Sequence, residues 1–134
     1  MIVVDTNIIG YLYLTSDRSA QAERALLKDP AWAAPLLWRS ELRNVLVRYI
    51  RNQLLSLEDA LQIMDEAINL MQDREYDVSS FQVLELSVAS SCSAYDCEFI
   101  ALAKDLTIPL VTVDRQVLAQ FPKTAVSLEE YVVV

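Results

Sequence analysis

The sequence predicts an α/β fold built on a short, mainly parallel central sheet. Three observations carry this reading. Short apolar runs rich in β-branched residues, such as Met1-Ile-Val-Val4 and Leu110-Val-Thr-Val113, recur along the chain. Longer segments between them carry apolar residues at helical spacing. No hairpin signal joins two strands, so successive strands are linked through helices and run parallel. The alternation continues without repeat or linker over 134 residues, the length of one ordinary domain.

Taken in order, residues 2–5 form a short buried strand. Thr6 or Asn7 caps a helix from Ile8 to about Leu14. Residues 18–29 place Ala22, Ala25, Leu26 and Leu27 on a helix, and Trp32 to Pro35 make a second strand. A helix from Trp38 to about Gln53 carries Trp38, Leu42, Val45, Leu46 and Tyr49 on one face. Ser56 and Asp59 form a capping box for a helix to about Gln72, with Leu57, Ala60, Leu61, Met64, Ile68 and Met71. Tyr76 to Val78 make a third strand, and Ser80 to Ala89 a helix. Ser93 opens a helix to about Leu106, and residues 110–113 are a buried strand. A short helix over Gln116 to Gln120, a strand at Ala125 and Val126, and a final cap from Ser127 with Glu130 complete the chain.

Composition narrows the chemistry. Histidine is absent, which excludes Ser-His-Asp and Cys-His catalysis. Cys92 and Cys97 are spaced wrongly for a zinc pair, so two reduced, partly buried thiols are expected. No apolar run approaches the ~20 residues that span a bilayer, and the start lacks a basic leader. The expected location is the cytoplasm, with no membrane partner. The formal net charge of −8 opposes general phosphate binding and suits a basic protein partner or a site that gathers cations.

Four acids break the apolar pattern. Asp5 closes the first strand and Asp114 the run 110–113. Asp96 shares a helix face with Phe99, Ile100 and Ala103. Glu41 lies about 40° from Val45 and about 60° from Trp38 around its helix. Each has an ordinary alternative. Asp5 and Asp114 can cap the helices that follow, Asp96 can complete a capping box opened by Ser93, and Glu41 can turn outward or pair with Arg48. As a set without matching cations they share one explanation, because unpartnered buried carboxylates are costly and a divalent cation offsets that cost. An all-oxygen set without histidine or thiolate suits Mg²⁺ or Mn²⁺ rather than zinc. Such a site suits phosphodiester hydrolysis. Thr6, Asn7 and Thr112 supply neutral polar atoms to orient carboxylates or water. Arg39, Arg43 or Arg115 could hold a nucleic-acid backbone, or be solvated surface charge.

Four segments occur in order: Val-Val-Asp5-Thr6-Asn7-Ile, Ser40-Glu41-Leu-Arg-Asn-Val-Leu, Ala94-Tyr95-Asp96-Cys-Glu-Phe-Ile-Ala-Leu-Ala, and Leu-Val-Thr112-Val-Asp114. Together they resemble the PIN domain family, and within it the VapC-type toxins of toxin–antitoxin pairs. The resemblance spans essentially the whole chain, residues 1–134. It implies a PIN-like α/β/α sandwich and a Mg²⁺- or Mn²⁺-dependent endoribonuclease. Asp5, Glu41, Asp96 and Asp114 match the family's acidic quartet, and Thr112 its threonine two residues before the last acid. The family often carries a further acid just after that position, where this chain has Arg115 and Gln116; Glu98 and Asn7 are the possible substitutes. The resemblance also implies a homodimer, an RNA substrate and a small antitoxin that blocks the acidic groove with a basic side chain.

A second enzyme class and a nucleotide-binding Rossmann module both fit poorly. An aspartyl-nucleophile phosphatase needs a second acid two residues after Asp5, where Asn7 stands. The single glycine, Gly10, cannot build a nucleotide-binding loop. The remaining alternative is a catalytically inactive PIN-like protein-interaction module.

Overall fold

In the computed structural model, which describes residues 1–133, five strands form one wholly parallel sheet. The strands are β1 (Ile2–Val4), β2 (Trp32–Pro35), β3 (Glu75–Tyr76), β4 (Leu110–Thr112) and β5 (Ala125–Ser127), in the spatial order β3-β2-β1-β4-β5. The helices are α1 (Thr6–Tyr13), α2 (Ser19–Lys28), α3 (Leu37–Arg51), α4 (Leu57–Met71), α5 (Ser80–Val88), α6 (Ala94–Leu106), α7 (Arg115–Gln120) and α8 (Leu128–Val133).

The chain winds from β1 outward to β3, then crosses back to β4 on the other side of β1. Right-handed crossovers therefore put α1–α4 on one face and α5–α7 on the other. The packing of α1 on α2 and α3, and of α5 on α6, agrees. The reversal falls between β1 and β4, and a doubly wound sheet opens its crevice at that switch point, beyond the strand ends. Asp5 and Asp114 follow those two strands.

The three central strands β1, β2 and β4 are short and fully buried, so they are largely continuous apolar runs rather than alternating ones, while the edge strands β3 and β5 are only partly buried. Trp32, Trp38, Ile8, Ile9, Leu42, Met71, Ile100 and Leu110 are among the fully buried side chains. Cys92 and Cys97 are free and buried, more deeply than expected, and burial pushes both thiols up from their ordinary pKa.

Several boundaries differ from the sequence expectation. Helix α1 starts at Thr6, not Ile8, and neither Thr6 nor Asn7 is its cap. The Thr6 hydroxyl instead donates to Glu41 Oε1 on α3, at 2.7 Å. Helix α3 ends at Arg51 because Gln53 adopts a left-handed φ of 61°. Strand β3 starts one residue earlier and ends two residues earlier than expected, paired through Ala34 with Glu75 and Pro35 with Tyr76. On α4 the buried stripe is Ala60, Met64, Ala67 and Met71, while Leu57 and Leu61 face solvent. The caps at Ser56 and Ser93 form as expected, each accepting the amide three residues on. Ser127 Oγ likewise accepts the Glu130 amide, and a full turn of helix follows.

Arg39 does not serve the role considered for it. Glu75 Oε2 accepts from Trp38 Nε1 at 2.8 Å and from Arg39 Nε at 2.6 Å, and its Oε1 accepts from the second Arg39 nitrogen at 2.6 Å. This fork ties the edge strand β3 to α3 and holds the Glu75 carboxyl below its ordinary pKa. Glu75→Gln should destabilise the chain by about 1–3 kcal/mol at neutral pH, measured by urea unfolding. Because the folded pKa is lowered, this stabilisation is full above the unfolded pKa and fades as pH falls through the folded one. The gap between wild type and variant should therefore close in acid. A gap that persists there would reject the ion pair as its source.

Candidate metal centre

Four elements deliver the acids to one place. Asp5 leaves the end of β1, Glu41 projects from the second turn of α3, Asp96 lies in the first turn of α6, and Asp114 follows β4. All four line a single cavity of about 210 Å³, together with Thr6, Asn7, Asn44, Val45 and Arg48. Of the four acids and their three expected supporting residues, only Thr112 does not line it. That side chain is fully buried beneath Asp5.

The capping alternatives resolve differently at each position. Asp5 occupies the N-cap position of α1, yet its side chain makes no capping bond. Its Oδ2 accepts from Thr112 Oγ1 at 2.8 Å instead. Asp114 does cap: its Oδ1 accepts from the amides of Gln116 at 2.9 Å and Val117 at 3.1 Å. Capping employs one oxygen of Asp114, and a carboxylate has lone pairs to spare. The Asp96 amide donates to Ser93 Oγ at 3.1 Å, so helix capping and a place in the cavity coexist. Glu41 forms no ion pair with Arg48 among the described residues, although both line the cavity.

Thr112 links two of the acids. Its hydroxyl accepts the Asp114 amide at 3.1 Å and donates to Asp5. The parallel register makes this possible: Val4 lies beside Val111, and the Asp5 amide donates to the Val111 carbonyl. The next residue of β4 is then level with the Asp5 side chain. Thr6 does the same for Glu41 from the next element. Two hydroxyls thus fix two carboxylates, as a supporting layer does for metal ligands. If the site works through these carboxylates, Thr112→Val should lower activity by about 10–100-fold at limiting metal and recover in part at high metal. An unchanged metal dependence would show that the hydroxyl is only structural.

The electrostatics point the same way. Burial raises the Asp5 carboxyl pKa; the Thr112 hydroxyl and the Thr6 amide oppose this, and Asp96 and Asp114 push it further up. Burial also raises Glu41, opposed by the Thr6 hydroxyl and reinforced by Asp5, Asp96 and Glu98. The carboxylates repel one another, and a cation among them would reverse that effect. Among the described residues no three acids stand as a finished ligand cluster, so this is an open, carboxylate-lined cavity rather than a closed cage. Such an all-oxygen site fits a hard ion that keeps several of its waters, as Mg²⁺ does.

Two residues were not anticipated as parts of this cavity, although Arg48 had been considered as a partner for Glu41. Asn44 and Arg48 stand three and seven positions after Glu41, on the same face of α3. Helical spacing from Glu41 was the available signal. Glu98 lies in a neighbouring cavity of about 360 Å³ with Leu36, Tyr76 and Asp77, not among the four acids. Arg43 and Arg115 are exposed and line neither cavity.

Comparison with known proteins places this geometry in a family. A curated relative, Ribonuclease VapC3 of Pyrobaculum aerophilum, is 29% identical over 124 residues, covering 90% of this chain and 95% of its own. The crystal structure of PAE2754 from Pyrobaculum aerophilum superposes with a TM-score of 0.78 at 21% identity, over 98% of this chain and 93% of that one. A toxin-antitoxin complex from Klebsiella pneumoniae gives a TM-score of 0.67 at 22% identity, over 96% of this chain and 98% of the other. The sequence model described as the PIN domain matches residues 2–124, a stretch that contains every acid of the cavity. With that match and this fold, the chain belongs to the PIN domain family.

Proposed function

We propose that residues 1–134 form a single PIN domain acting as a metal-dependent endoribonuclease, the toxin of a toxin–antitoxin pair. The observation that carries the proposal is the convergence of Asp5, Glu41, Asp96 and Asp114 on one cavity at the switch point of the sheet. The 29% identity to a protein named a ribonuclease supports the substrate class. Mg²⁺ or Mn²⁺ bound there would supply an activated water near neutral pH and screen charge on the phosphate. Asp5 and Asp96 would be the principal residues holding the ion, with Glu41 and Asp114 completing the set. Thr112 and Thr6 hold Asp5 and Glu41 in orientation. Asn7, exposed on the first turn of α1, is placed to bond a water or a phosphate oxygen at the cavity rim.

The proposed partners are an RNA substrate, a basic antitoxin and a second copy of the chain. The net charge of −8 and the open acidic cavity favour a basic inhibitor. Exposed Phe81, Leu84 and Val88 on α5 give an apolar face that supports a protein contact. Sedimentation as a monomer at working concentration would remove the homodimer. No helix of the described residues is long and apolar enough to cross a membrane. An inactive module would have little reason to keep four mutually repelling carboxylates around one cavity.

The test is incubation of the purified chain with a structured RNA pool, with Mn²⁺ or with EDTA. Cleavage that needs the metal is expected. Cleavage that survives EDTA would remove the metal from the account.

A further inference from the structure

Three cavities run in series away from the acids. The acid cavity shares Thr6, Asn7, Val45 and Arg48 with a second, of about 190 Å³, whose lining also includes Tyr11, Ser16 and Tyr49. The second shares Tyr11 and Ser16 with a third, of about 320 Å³, completed by Asp17 and Arg18. The result is a track between α1 and α3 that starts at the carboxylates and ends beyond α1.

Arg48 stands at the first junction. It is exposed and takes no part in the ion pairs found among the described residues, which join the Met1 amino group to Asp29 and Arg39 to Glu75. A guanidinium that lines a cavity with four carboxylates and pairs with none of them is available to fork onto a phosphate. At the second junction, Arg18 donates to the Tyr11 hydroxyl at 3.2 Å, and its guanidinium carbon lies 5.8 Å from the centre of that ring. Tyr11 and Tyr49 are both partly buried, so their rings keep exposed surface without lying free. Arginines interleaved with aromatic rings along a groove are the equipment that holds a single strand: cations meet phosphates, and rings stack on unpaired bases.

We propose that this track binds the RNA strand flanking the cut. Arg48 grips the phosphate next to the scissile one, Tyr49 and Tyr11 stack the following bases, and Arg18 steadies Tyr11. The inference rests on the ribonuclease reading and adds where the substrate lies. It also implies a single-stranded segment beside the scissile bond, since a paired base offers no free face to a ring.

The probe is a short random-sequence single-stranded RNA pool carrying photoreactive thiouridine. Binding is measured on the Asp96→Asn chain, and cleavage in parallel on chains with the acids intact. Adding Arg48→Leu should weaken binding about tenfold and make the salt dependence shallower by about 0.7, as expected for one lost phosphate contact on a single strand. In the cleavage assay the same change should raise KM with kcat little altered. Arg48→Lys should recover part of the affinity. Arg51→Leu, exposed at the far end of the same helix and lining none of the three cavities, should leave affinity and KM close to wild type. Photocrosslinks should map to Tyr11 and Tyr49.

If the wild type cleaves and Arg48→Leu matches it in KM, affinity and salt dependence, the track is wrong and the nuclease stands. If the wild type neither cleaves nor binds RNA, the nuclease reading fails and the track with it. Crosslinks confined to another surface would also overturn the track. So would an Arg48→Leu chain that handles RNA normally but loses a protein inhibitor, because the groove would then belong to that partner.

Discussion

Asp5→Asn and Asp96→Asn should each lower RNA cleavage by about 10³-fold or more while leaving the chain folded. Both carboxylates line the acid cavity, and neither is needed to hold the helix it borders. The Asp96 amide, not its carboxylate, makes the bond to Ser93. Asparagine keeps the shape of Asp5, and its carbonyl oxygen can still accept from Thr112. What disappears is negative charge at the place where the proposal needs it. The same argument gives a second, opposite effect. The Asp5 carboxyl is held up from its ordinary pKa first by burial and then by Asp96 and Asp114, so its ionisation works against the metal-free fold. Asp5→Asn should therefore raise the melting temperature of the metal-free chain. Thermal melting in EDTA beside the cleavage assay reads both. Full activity in either variant would remove that residue from the centre, and a large fall in Tm would make its role structural.

Mn²⁺ should stabilise the wild-type chain strongly. At a free concentration near one hundred times Kd, binding to the folded state alone adds about 2.7 kcal/mol, or about 10 °C for a domain of this size. Relief of repulsion among Asp5, Glu41 and Asp96 enters through Kd, lowering the Mn²⁺ concentration at which that gain is reached. EDTA should reverse it, and Asp5→Asn should blunt it. Thr112→Val should need more metal for the same shift. A melting temperature indifferent to Mn²⁺, in a chain that cleaves RNA, would mean that these carboxylates act without a tightly held ion.

Much of the fold was legible because its elements are locally consistent. The buried parallel strands are unbroken apolar runs, and the caps at Ser56 and Ser93 announce α4 and α6. What escaped depended on partners distant in sequence. Thr6 is a plausible cap by residue type, and only the approach of α3 reveals that its hydroxyl serves Glu41. Leu57 and Leu61 match the helical period, but the sheet and α3 take the neighbouring stripe of small residues and methionines. Asp5 and Asp114 stood out because aspartate ends two apolar runs, and β1 and β4 are neighbours in the sheet. That adjacency is a property of topology, which the chain order alone leaves open. Arg48 was invisible as a groove residue because a lone arginine on a helix is ordinary surface charge until the cavity beside it is seen.

The central claim is that the four acids form one metal centre, and the most direct test is to locate the metal. Crystals of the chain grown with Mn²⁺, under conditions in which it cleaves RNA, give an anomalous signal that marks the ion without assumption. The predicted result is a peak in the acid cavity, about 2.0–2.3 Å from oxygens of Asp5 and Asp96. A cavity without manganese, or a peak only at other carboxylates, would contradict the account.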